Sequence, residues 1–234
     1  MGYKASIVTI QAPEPNLTDK DLLALLGFGN FSFSGETNLD QAIYPRDKSI
    51  NIGHYNNCII ICDDYLLTNE LETLRAIDSM TGYEKILSEK FPESEILSVA
   101  CHSITDYHCY SLVKNSKKIR FKRVLDGEIE TFGDWLAQEK PIYEQSKIIN
   151  GERMFKRLYS NDVMYDNDEQ MLMEDFTFGV AERHLGVNLF RFDDTIPIYD
   201  VVFKKYKPQK QVSVNDSHAS KKGNINSWLS KLFK

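Results

Sequence analysis

Between Glu95 and Phe132 the chain runs through four short segments of strand character, Glu95–Ser103, Tyr107–Val113, Lys117–Val124 and Glu128–Phe132. They are separated by the turn-forming pairs Thr105-Asp106 and Asn115-Ser116 and by Gly127. Connections this short join antiparallel neighbours, because a parallel return needs a crossover of roughly a dozen residues or more. This meander excludes an alternating βαβ design and sets the frame for the rest of the chain.

The flanking segments fit that frame. Lys4–Ile10 is a short β-branched strand, ended by Ala12-Pro13-Glu14-Pro15 because proline lacks the amide that a ladder needs. Strands are expected around Ser49–Gly53 and Asn57–Cys62, joined through Tyr55-Asn56. The run Cys58-Ile59-Ile60-Ile61-Cys62 is apolar on both faces, which places it at the centre of a sheet. A last strand is expected over Ile198–Lys205.

Helices are set apart from the strands. Thr18 and Asp21 form a capping pattern before Leu22, Leu23, Leu25 and Leu26, with Gly27 as the stop. Phe28 to Asn38 reads as a loop packed on the core by Phe28, Phe31 and Phe33. Asn69 and Glu72 open the longest helical region, with Leu67, Leu71, Leu74, Ile77 and Met80 in helical period. Gly82 interrupts it, and Tyr83, Ile86, Leu87 and Phe91 resume the stripe. Asn167 and Gln170 start a helix through Leu172, Met173, Phe176, Val180, Ala181 and Leu185, stopped by Gly186. The fold class is α+β, a largely antiparallel sheet with helices packed on it and a flexible C-terminal tail. Residues 1–207 form one domain, 208–223 a polar linker and 224–234 a short amphipathic helix.

Composition narrows the function. Of 234 residues, 42% are hydrophobic, enough for a real core. No stretch approaches the roughly 18 apolar residues of a membrane span. The formal charge of −6 argues against a general nucleic-acid binder. Four cysteines are too few for a disulfide scaffold, and MGYKASIVTI lacks the apolar region of a secretory signal. A cytoplasmic protein is expected.

Four groups of residues bear chemistry. In the segment Cys101 to Cys109, a hairpin centred on Thr105 would set Cys101 opposite Cys109 and His102 opposite His108. The two histidines could supply half the ligands of a divalent metal at roughly 2.0–2.3 Å, with Asp106 or a distant carboxylate such as Asp63 or Asp64 completing the set. Cys58 and Cys62 share a face but lie about 13 Å apart along a strand, too far to chelate one ion. Asp63-Asp64-Tyr65 sits just past a buried strand, and Asp162, Asp166, Asp168, Asp193 and Asp194 are further acids that read as turn and cap residues. His184 falls in a helix's last turn, where its positive form complements the dipole. No phosphate loop, dinucleotide fingerprint, nucleophile elbow or His-Glu-x-x-His helix is present.

The third meander segment is strongly basic. Strict alternation puts Lys118, Arg120 and Lys122 on one face, a patch for an acidic partner or the solvated face of an edge strand. The end of the chain is basic too: Asp200 to Lys234 holds eight lysines against Asp200 and Asp216. Its last eleven residues form a short amphipathic pattern with Ile225, Trp228, Leu229 and Leu232 on one side. Alone it is too short to be stable in water. Its own domain, a partner protein and an anionic membrane surface are the alternatives for what it folds against.

The opening MGYKASIVTI, the run Tyr44-Pro45-Arg46-Asp47-Lys48-Ser49-Ile50-Asn51-Ile52-Gly53, and Ile59-Ile60-Ile61-Cys62-Asp63-Asp64-Tyr65 resemble an uncharacterised bacterial protein family. His102-Ser103-Ile104, Lys117-Lys118-Ile119-Arg120, Gly133 through Glu139-Lys140 and Glu174 through His184-Leu185-Gly186 extend the resemblance over most of residues 1–190. It implies a bacterial, cytoplasmic setting and no particular activity. The chain departs from the family pattern at Ser116, where a glycine is usual, and at Asp134-Trp135, which replaces a Glu-Pro pair.

The sequence therefore favours a non-enzymatic module that binds another protein rather than a small molecule. Contact residues would be Lys118, Arg120, Lys122, Trp228, Leu229 and Leu232, with no cofactor. The alternative is a small metal-dependent hydrolase built on His102, His108, Asp63 and Asp64.

Overall fold

In the computed structural model, residues 4–13, 17–44, 46–158, 164–189 and 197–209 are described. The strands are β1 (Lys4–Gln11), β2 (Phe31–Thr37), β3 (Ile50–Tyr55), β4 (Cys58–Cys62), β5 (Ile96–His102), β6 (Tyr107–Lys114), β7 (Lys117–Leu125), β8 (Glu128–Phe132), β9 (Ser146–Ile149), β10 (Glu152–Leu158), β11 (Met164–Asn167) and β12 (Phe203–Pro208). The helices are α1 (Asp19–Leu25), α2 (Leu39–Ile43), α3 (Asn69–Thr73), α4 (Gly82–Lys90), α5 (Lys140–Glu144), α6 (Met173–Gly179) and α7 (Glu182–Leu185).

Nine strands form one antiparallel sheet in the order β2-β12-β3-β4-β1-β5-β6-β7-β8, and β11-β10-β9 form a small second sheet. The α+β class and the antiparallel meander are as the sequence indicates. Among the described residues no helix is long and apolar enough to cross a membrane.

Both faces of the large sheet are covered. Val8, Ile10, Ile59, Ile61 and Ile96 meet Leu22 and Leu23 of α1 and Tyr83 and Leu87 of α4. On the opposite face, Ile7, Ile60, Cys62 and Cys101 meet α2, α6 and α7 through Ala42, Phe178 and Leu185. This double cover explains why β4 is apolar at every position: both of its faces lie against helices, and all five residues are buried. The second sheet sends Phe155 into a third cluster with Tyr110, Leu112, Tyr143, Met173 and Phe176.

Three elements differ from expectation. The Phe28–Asn38 segment is not a loop throughout: Phe31–Thr37 is a strand, because β12 pairs with it across to Pro208. The long helix is two short ones. Gly82 opens α4 rather than interrupting a helix, since Thr81 and Glu84 form a reciprocal capping box. Asn167 belongs to β11, and the following helix begins at Met173 and breaks between Gly179 and Glu182. The final strand is shifted to Phe203–Pro208 behind a 3₁₀ turn at Pro197–Asp200.

Candidate functional site

The basic strand β7 lies one position in from the sheet edge, because β8 pairs outside it. Its cations are interior: Lys118 is 6% exposed, Arg120 1%, Lys122 0% and Arg123 6%. A bulge sorts them between faces. Leu112 pairs with Arg120 but Val113 pairs with Lys118, so Ile119 is the extra residue. Lys118 therefore lies on the α4 face while Arg120 and Lys122 lie on the other, correcting the expected single face of three cations.

Each cation ties β7 to a different element. Lys118 Nζ is 3.2 Å from Glu84 Oε2, an ion pair rather than an aligned hydrogen bond. Glu84 also accepts from the Ser111 hydroxyl and the Thr81 amide. Arg120 donates to Glu139 from Nε at 2.9 Å and from its terminal nitrogen at 2.6 Å, and to the carbonyls of Phe132 and Gly133. Burial alone would lower the Arg120 pKa, but its bonds to Glu139 raise it above the usual guanidinium value. Arg123 pairs with Glu130 and donates to the carbonyls of Leu71, Glu72 and Leu74, which end α3. Lys122 donates to Glu169 at 2.6 Å and to the Tyr143 hydroxyl at 3.0 Å, with its nitrogen 3.4 Å from the Phe176 ring centroid. Burial outweighs Glu169 there and pushes the Lys122 pKa down to about 8. Lys118, Arg120 and Lys122 are thus internal ties and not the surface patch expected of them.

The histidine hairpin has a register one residue from the expected one. A 3₁₀ turn at Ser103–Thr105 and left-handed Asp106 pair His102 with Tyr107 and Cys101 with His108. A one-residue slip sends side chains to opposite faces. His102 faces the Tyr65 side, with ring centroids 6.3 Å apart, while His108 points to the other face of the sheet. His108 is 7% exposed, and burial lowers its pKa to about 4.

Asp63 is fully buried. It accepts from the Ser6 hydroxyl and from the amides of Leu67 and Thr68 at 2.6 and 2.9 Å, which folds residues 63–68 over the end of β4. Asp64 accepts from the Lys48 amide. Burial raises the pKa of both carboxyls. These four residues do not converge, and among the described residues no group of three or more His, Cys, Asp or Glu is placed to hold a metal ion. The four cysteines are free and buried; burial raises the Cys58 thiol pKa to about 11 and those of Cys101 and Cys109 to about 12. Asp168 caps the turn at Met171. Asp162, Asp193, Asp194, Trp228, Leu229 and Leu232 lie outside the described residues.

His184 is more than a dipole partner. Its Nδ1 is 2.7 Å from Thr9 Oγ1 and its Nε2 is 3.5 Å from Glu95 Oε2, while Arg183 and Lys114 also bind Glu95. His184 and Arg183 together hold the Glu95 carboxyl well below the usual carboxylate range. The order Thr–His–Glu resembles a nucleophile relay. Thr9 is 2% and His184 0% exposed, so the relay fastens α7 to β1 and the start of β5 rather than meeting a substrate.

The concavity of a size that takes a small molecule lies elsewhere. A cleft of about 480 Å³ opens between residues 136–145 and the α6–α7 run, with Phe155 and Lys156 between them. Its first wall carries Gln138, Pro141, Ile142 and Gln145, spaced as one helical face. Its second carries Leu172, Asp175, Gly179 and Glu182, again one face, continued across helical Val180 and Ala181. Both stripes are visible in the sequence. They escape notice because their residues are polar or small, whereas the apolar positions that signal a helix face the core.

No family model, curated protein or solved structure matches the chain.

Proposed function

We propose that this chain is a non-enzymatic cytoplasmic binding module that engages another protein, with its basic C-terminal stretch docking or tethering it. The observation that carries the reading is the free edge of β2. This strand ends the nine-stranded sheet and contains no lysine, arginine or proline to discourage strand addition, and Phe33 on it is 58% exposed. The opposite edge, β8, is guarded by Glu128 and Glu130. Gln209 donates to the Asn30 carbonyl at 3.0 Å, so the segment bearing Trp228, Leu229 and Leu232 departs beside β2. A partner strand added there would lie next to that segment, and β-augmentation supplies main-chain hydrogen bonds while Phe33 supplies side-chain contact. Free, buried cysteines support a reducing compartment.

Cross-linking in cells with the wild type, Phe33→Lys and a chain ended after Gln209 tests this. The expected result is a cross-linked protein mapped to residues 31–37, lost in Phe33→Lys and weakened by the truncation. Equal recovery with all three forms would overturn the reading.

A further inference from the structure

The cleft between residues 136–145 and α6–α7 stands apart from the β2 edge, and its chemistry can be read independently. One wall is amide–apolar–amide: Gln138, Pro141 and Ile142, Gln145. The other is carboxylate–glycine–carboxylate: Asp175, Gly179, Glu182. Seven helical residues separate the two acids, about 10 Å of rise. Gly179 between them keeps the wall open, since a Cβ there would meet nothing nearer than Asn188 Nδ2 at 3.9 Å. Gln138 Oε1 is buried and accepts no hydrogen bond among the described residues. A buried acceptor left unpaired is costly, so the site calls for a ligand that brings N–H donors. Phe155, Ile142 and Leu172 supply apolar surface for a methylene chain. Lys156 is the single cation of the lining, and with two carboxylates it leaves the cleft a formal −1.

We propose that this cleft binds a free basic α-amino acid of the lysine or arginine type. Its two cationic ends would meet the Asp175 and Glu182 carboxylates, its own carboxylate Lys156, and its side-chain methylenes Phe155 and Leu172. The ligand's net +1 complements the lining. A diamine lacks the group that Lys156 would bind, an acidic amino acid meets two like charges, and an uncharged one leaves a carboxylate without a partner.

Isothermal titration of the full chain with L-lysine, L-arginine, cadaverine, L-glutamate and L-norleucine tests the proposal. Binding is expected for L-lysine or L-arginine and not for L-glutamate or L-norleucine. Glu182→Gln, at an exposed position, should weaken the basic amino acid at least tenfold. Gly179→Met should block the cleft while leaving the thermal transition in place. Lys156→Met should weaken L-lysine and leave cadaverine unchanged. The proposal fails if neither basic amino acid binds, if cadaverine, L-glutamate or L-norleucine binds as tightly, or if binding survives in both Glu182→Gln and Gly179→Met.

Discussion

Arg120 keeps its charge at 1% exposure because Glu139 takes two of its N–H bonds and two carbonyls take others. Removing one partner of such a pair strands the other: Glu139 is itself fully buried and would keep only the Tyr110 hydroxyl and the Leu136 amide. Arg120→Met should therefore cost about 3–5 kcal/mol in urea unfolding, and adding Glu139→Gln should recover part of that loss. A double variant no more stable than the single one would show that Glu139 was not the cost. His108 tests the opposite case, a buried ionisable group without an ion-pair partner. Its folded pKa of about 4 lies below the ordinary 6.5, so the unfolded chain binds the proton more tightly. Stability is complete above pH 6.5 and falls as the pH drops toward 4, by about 3 kcal/mol for this residue. Unfolding curves of His108→Gln and wild type across that window should differ in slope, with the variant flatter.

At the scale of elements, the bulge at Ile119 is the decisive irregularity. It lets one strand send Lys118 to α4 and Arg120 to the segment before α5. The Ile119 carbonyl reaches Gly133, where a Cβ would sit 2.0 Å from its oxygen, and Gly133 has a φ of +81°. A side chain at 133 meets both a backbone clash and a left-handed conformation. Gly133→Ala should lower stability by about 2 kcal/mol or more, read as a drop in the thermal midpoint. A variant as stable as the wild type would mean that the two segments are not held this closely. The same irregularity explains why alternation misassigned Lys118: period-two reasoning assumes an unbroken ladder, and nothing in Lys117-Lys118-Ile119-Arg120 announces an inserted residue. The histidine hairpin fails for a related reason. Thr105-Asp106 was a sound turn site, but a 3₁₀ turn moves the pairing by one residue, which reverses His108 relative to His102.

For the whole molecule, β12 is the closing strand: it comes last in the described chain yet lies between β2 and β3. Ending the chain after Gln209 leaves every described element in place and should keep the thermal midpoint within about 2 °C of the full chain. Ending it after Val202 removes β12 and Phe203, which packs against Gly53 and into the α2–α7 cluster. That form should fail to fold cooperatively, as circular dichroism on heating would show. A cooperative transition at the wild-type temperature would mean that β2 is held by something other than β12.

What the residues determine by themselves is whatever depends on near neighbours: the antiparallel meander, the Thr18 cap, the Asn115-Ser116 turn and the burial of Cys58–Cys62 on both faces. Hydrophobic period and turn chemistry act over a few residues, so they are legible in order along the chain. Only the tertiary structure decided that a lysine-rich strand is interior, because that needs glutamates at 84, 139 and 169 brought to it from distant segments. It also decided that His102 and His108 part company and that two polar helical stripes face each other across a cleft. Long-range pairing determines which charges are neutralised and which remain on a surface, and no local pattern carries that information.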